Sequence, residues 1–136
     1  FEAGQLSGLG TLTTIDDMKR AAAKIHEAGA KNVVIKGGKQ LQHDKAVDLF
    51  FDGSTYTLLE SEKTATTYNH GAGCTFAAAV TANLANGLAV NESIIEAKKF
   101  VSAAIANGWK LNEYVGPVMH GAKNRFGAPE VTTSEI

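Results

Sequence analysis

The chain has 136 residues, 44% hydrophobic and 20% charged, with 13 Lys+Arg against 14 Asp+Glu and a formal charge of −1. That is enough length and apolar content for one ordinary globular core, and it lacks the basic field that nucleic acid or an anionic membrane surface requires. A single cysteine excludes a disulfide framework and a multi-cysteine zinc site within the chain. With no run of 18 apolar residues and no signal-peptide pattern, the expectation is a cytoplasmic protein with no membrane or nucleic-acid partner.

From the N-terminus, Phe1 to about Ser7 predicts the end of a helix stopped by Gly8 and Gly10. A chain without an initiator Met that is helical from its first residue is expected to be a piece of something longer. Thr14-Ile15-Asp16-Asp17 has the form of a capping box and opens a second helix. Met18, Ala21, Ala22, Ile25 and Ala28 recur along it at helical spacing, and Gly29 is its stop. Asn32-Val33-Val34-Ile35 is a β-branched run suited to a buried strand, and helix, glycine, strand is the order of an α/β unit. Lys36-Gly37-Gly38 follows directly. Two strands are expected at 46–51 and 56–59, joined through Asp52-Gly53, and a further short one near 65–68. Asn69-His70-Gly71-Ala72-Gly73-Cys74 then enters an Ala-rich helix that runs to Asn86 and is ended by Gly87. Asn91 is expected to cap another helix with the stripe Ile94, Ala97, Val101, Ala104 and Ile105, ending near Gly108. The rest is irregular from Trp109 on, and 128–136 is expected to fray.

The strongest chemical signal is Gly71-Ala72-Gly73-Cys74 at a helix start. Glycines let the backbone turn tightly and approach a ligand, and the first helical N–H groups lack intrahelical partners. With the helix dipole they make an anion site, where a thiol would be favoured as thiolate. On spacing alone, close helix packing by the glycines beside an inert buried thiol is equally compatible. The segment is neither a Walker A loop, having no Gly-Lys-Ser/Thr ending, nor a dinucleotide fingerprint, because residue 76 is Phe. Lys36-Gly37-Gly38 at a strand's carboxyl end suits a polyphosphate, although a solvated lysine in a glycine turn explains it better on spacing alone. Glu2 by itself reads as a surface carboxylate. His70 adjoins the Gly-rich loop; His26 and His43 read as surface residues, and Trp109 and Phe100 as core. His120 has no assignment, and no His and carboxylate pair has metal-ligand spacing.

Three segments together resemble one superfamily. Phe1-Glu2-Ala3-Gly4-Gln5-Leu6-Ser7-Gly8 resembles the Asn-x-x-Glu-Ala…Leu-Thr/Ser-Gly segment of ribokinase-like small-molecule kinases. Val33-Val34-Ile35-Lys36-Gly37-Gly38 resembles their strand with its following Lys-Gly-Gly, and His70-Gly71-Ala72-Gly73-Cys74-Thr75 their Gly-Thr-Gly-Asp/Cys anion-hole motif. The Cys form marks the branch of hydroxymethylpyrimidine (phosphate) kinases and similar pyridoxal kinases. The run from Leu111 to His120 is similar to the pyridoxine/pyridoxal kinases of Gram-positive bacteria. The match extends to about Gly127 and concerns the C-terminal half of a family about twice as long, so the chain is expected to start just inside the Asn-x-x-Glu motif.

The resemblance implies the C-terminal portion of a three-layer αβα fold over residues 1–127. It implies transfer of the ATP γ-phosphoryl to the 5′-hydroxymethyl of pyridoxal, pyridoxine or pyridoxamine. The alternatives are a hydroxymethylpyrimidine/phosphomethylpyrimidine kinase of thiamine biosynthesis and a non-catalytic nucleotide-binding domain. By the same resemblance Cys74 is the base that takes the alcohol proton, and the N–H groups of Gly71, Ala72, Gly73 and Cys74 hold charge on the transferred phosphoryl. Lys36, with Gly37 and Gly38, contacts ATP phosphates, and Glu2 helps to hold Mg²⁺ through water. Ala72 stands where Thr is more usual, which removes a hydroxyl and keeps the backbone donors. A chain lacking the N-terminal half is expected to phosphorylate little or nothing alone. Its uncovered sheet edge and apolar face are expected to drive self-association into a homo-oligomer.

Overall fold

A computed structural model describes residues 1–38 and 40–136. These form two compact units, Phe1–Lys63 with Thr132–Ile136, and Thr64–Val131. No helix among the described residues is long and apolar enough to cross a membrane.

In the first unit, α1 (Glu2–Ser7) ends at Gly8, whose φ of 70° is the left-handed stop that the glycine foreshadows. Helix α2 (Ile15–Glu27) opens on the expected capping box: Asp17 N–H donates to Thr14 Oγ1 at 3.1 Å, and Asp17 Oδ2 accepts from Thr14 N–H at 3.2 Å. Its Met18, Ala21 and Ala22 are buried. Strands β1 (Val33–Lys36), β2 (Ala46–Phe51) and β3 (Tyr56–Ser61) form an antiparallel meander. Val33 and Ile35 join Val47, Leu49, Phe51 and Leu58 in one apolar cluster with α2. Phe50 and Leu59, which alternate with them, are buried as well, so β2 and β3 are covered on both faces. Asp52 Oδ1 closes the β2–β3 turn by accepting from the N–H groups of Ser54 and Thr55, both at 2.8 Å.

Two expectations need correction in this unit and just beyond it. No strand forms at 65–68 among the described residues. The tail does not fray throughout: Thr132–Glu135 is β4, paired antiparallel with β3 through Leu58↔Ser134 and Leu59↔Thr133. Its side chains are all exposed, so the backbone ladder alone holds it and no hydrophobic alternation announces it. Among the described residues the sheet order is β1-β2-β3-β4 with antiparallel neighbours, and Lys36 closes β1.

The second unit holds α3 (Ala72–Ala85), α4 (Val90–Ala106) and α5 (Ala122–Phe126). Of the predicted α4 stripe, Ile94, Ala97, Val101 and Ala104 are buried and Ile105 is half-buried. The N-cap is Ala89 rather than Asn91, with the Ala89 N–H donating to Glu92 Oε2 at 3.3 Å. Glu96 ties α4 to α5 through Lys123 at 2.7 Å and also pairs with Lys99 at 2.7 Å. Trp109 is not core: it follows the helix end at Asn107 and is 49% exposed, while Phe100 is half-buried.

Candidate functional site

The Gly-rich segment forms a turn into α3. Gly71 is the N-cap with a φ of 86°, a conformation a side chain would strain, and no side chain caps the helix. Ala72 N–H donates back to Asn69 O at 3.2 Å, so this one of the four expected anion-holding amides is already engaged. The Gly73 and Cys74 amides lie in the first turn, where the helix offers them no acceptor. Cys74 is a free, exposed thiol, which disagrees with an inert buried role. Partially charged N–H groups beside a reachable nucleophile at a helix N-terminus are equipped to hold an anion and to exchange a proton.

His120, left unassigned by the sequence, is brought to this turn. Its Nε2 lies 3.0 Å from Oγ1 of Thr75, which is buried next to Cys74. Both residues line a groove of about 500 Å³ whose other walls include Ala78, Ala82, Phe100 and Lys123. Nothing local in the sequence signals the pair, since 45 residues separate its members. His70 contributes backbone, its N–H donating to Gly116 O at 3.1 Å, while its side chain is exposed.

Glu2 and Lys36 belong to the first unit. Glu2 is an exposed carboxylate at the start of α1, held below its ordinary value first by its own backbone N–H, with Lys36 adding to the effect. It therefore stays ionised, and the Lys36 charge is within electrostatic reach of it. Lys36 is exposed at the end of β1. Gly37 N–H donates to Val47 O at 3.0 Å and to Asp48 Oδ1 at 3.2 Å, so its donor serves the turn. Gly38, at φ 62°, supplies the left-handed step that follows. Among the described residues no cluster of three His, Cys, Asp or Glu could hold a metal. A lone ionised carboxylate such as Glu2 fits a cation like Mg²⁺, which takes one or two carboxylates and fills its other positions with water and phosphate oxygens.

The phosphomethylpyrimidine kinase family model matches residues 1–119. Pyridoxine kinase of Bacillus subtilis is 58% identical over 122 residues, 90% of this chain and 45% of its own length. Hydroxymethylpyrimidine/phosphomethylpyrimidine kinase of the same organism is 39% identical over 124 residues, 91% of this chain and 45% of its own. The solved pyridoxal kinase from Staphylococcus aureus in complex with AMP-PCP and pyridoxal is 57% identical, with a TM-score of 0.98 over 100% of this chain and 51% of that one. The chain spans about half the length of the curated relatives it matches. Its α/β fold is that of these pyridoxal kinases, the ribokinase-like fold expected from the motifs.

Proposed function

Because this chain belongs to the phosphomethylpyrimidine kinase family, we propose that it is the C-terminal part of an ATP-dependent kinase for the 5′-hydroxymethyl group of pyridoxal, pyridoxine or pyridoxamine. The observation that carries this is the 57% identity over the whole chain to a kinase solved with pyridoxal and an ATP analogue. Identity to the pyrimidine kinase is lower, at 39%, which makes that substrate the second reading.

Phosphoryl transfer of this kind rests on positioning and on neutralising charge. Cys74, exposed at the helix start, takes the proton of the acceptor hydroxyl. The Gly73 and Cys74 amides donate to oxygens of the transferred phosphoryl, and the helix dipole acts in the same sense. Lys36 contacts ATP phosphates as a flexible point charge. Gly37, whose own donor is engaged, shapes the turn that follows Lys36, and Gly38 supplies the left-handed step. Glu2 would help to hold Mg²⁺, which when bound would supply neutralisation of phosphate charge.

The test is turnover of the complete natural protein on pyridoxal and on hydroxymethylpyrimidine, with Cys74→Ala alongside. Pyridoxal is expected to give the higher kcat/KM, and Cys74→Ala to lower kcat by about 100-fold or more. A preference for the pyrimidine would move the assignment to the second reading. An unchanged rate in Cys74→Ala would remove the base assignment, and no turnover on either compound would favour a nucleotide-binding domain without catalysis.

A further inference from the structure

We propose that His120 is a positioning residue for the Gly71–Cys74 turn, acting through the Thr75 hydroxyl; its consequence for turnover rests on the kinase reading above. The turn needs such a device because no side chain caps α3 at Gly71. One segment, 116–120, holds it from both flanks instead. Ahead of the turn, His70 N–H donates to Gly116 O at 3.1 Å, and His70 O accepts from Val118 N–H at 3.2 Å, making a parallel bridge. Behind it stands the Thr75–His120 hydrogen bond at 3.0 Å, which forms whichever partner carries the proton.

The segment is itself fixed. Met119 N–H donates to Ala104 O of α4 at 2.9 Å, and a Cβ at Gly116 would overlap the Tyr68 ring, so the chain passes there in close contact. The turn is thereby splinted to the body of α4 rather than left to fray as helix ends do. Thr75 is 8% exposed, so losing its partner strands a largely buried hydroxyl and releases the first turn, whose Gly73 and Cys74 amides take their direction from it. His120 touches neither amide and works only through Thr75.

The experiment is a double-mutant cycle in the complete natural protein: His120→Ala, Thr75→Val and both together. His120→Gln serves as the conservative variant, because its amide nitrogen reaches about as far as Nε2. Each single change is expected to lower kcat about tenfold with KM for ATP and pyridoxal changing less than about twofold. The double variant is expected to be no slower than the slower single one, and His120→Gln to recover most of the rate. Amide hydrogen exchange of His70, Thr75 and Val118 should quicken by about tenfold, with Val101 in α4 unchanged. Additive rate losses, unchanged exchange at the three amides, or equal acceleration at Val101 would each overturn the proposal. If the wild-type protein shows no kinase turnover, the kinase reading fails by itself, and the exchange pattern alone decides whether the splint exists.

Discussion

Gly37 shows how a residue chosen for one role can be occupied by another. Beside Lys36 it suggests a phosphate-cradling loop, yet its N–H is bonded to Val47 O and Asp48 Oδ1. A Cβ at this position would press into Val47 O and stand 2.8 Å from Leu41 Cδ2. Gly37→Ala is therefore expected to destabilise the fold by about 1–3 kcal/mol, read as a lower urea midpoint with an unchanged slope. Glu96 gives a pH-dependent counterpart. Hydrogen bonds from Lys123 and then Lys99 hold its carboxyl below the ordinary 4.5, against a smaller upward push from burial. A depressed folded value means that the stabilisation is present above the unfolded value and is lost as pH falls through the folded one. Glu96→Gln should then cost about 0.5–1 kcal/mol near neutral pH, since the pair is one-third exposed and screened. The gap in Tm between wild type and variant should close as the pH falls below 4.5. At this scale Cys74 and its glycines were legible because a Gly-rich helix entry is a local pattern. His120 was not, because its partner lies in a distant stretch of chain.

Elements were legible where periodicity or capping chemistry dictated them. Thr14 and Asp17 stand three apart, and the reciprocal bonds follow from that spacing. Thr14→Ala removes the acceptor for Asp17 N–H and is expected to cost about 1 kcal/mol, measurable by thermal denaturation, with Thr14→Ser close to wild type. Strand β2 matches its predicted bounds because an apolar run flanked by a polar loop and Asp52-Gly53 admits little else. Strand β4 and helix α5 escaped detection for the opposite reason. The four residues of β4 are exposed and gain their order from the free edge of β3, and α5 is a five-residue turn tied down by the Lys123–Glu96 pair. Such elements are made by tertiary context, which no window of sequence contains. Helix α3 is a different case. Its apolar residues surround the axis, which marks a helix made for complete burial, yet only Thr75 and Phe76 are buried.

That mismatch has a consequence for the molecule as a whole. Ala77, Ala78, Ala82, Leu84 and Ala85 all present apolar surface to solvent, and Leu84 is 43% exposed. A monomeric soluble protein rarely leaves a contiguous apolar face uncovered, because each 100 Å² of it forgoes about 2.5 kcal/mol of burial. The curated relatives devote about twice the length to the same fold. We therefore expect the 136-residue chain, prepared alone, to associate with itself through this helix. Light scattering should give a mass above one chain at micromolar concentration, and Leu84→Lys should shift it towards the monomer by placing a charge on the face. A single-chain mass in the unaltered chain would count against association. The same preparation is expected to phosphorylate pyridoxal far more slowly than the complete natural protein. Equal kcat/KM in the two would show that residues 1–136 suffice for acceptor binding as well as phosphate handling, and would overturn that expectation.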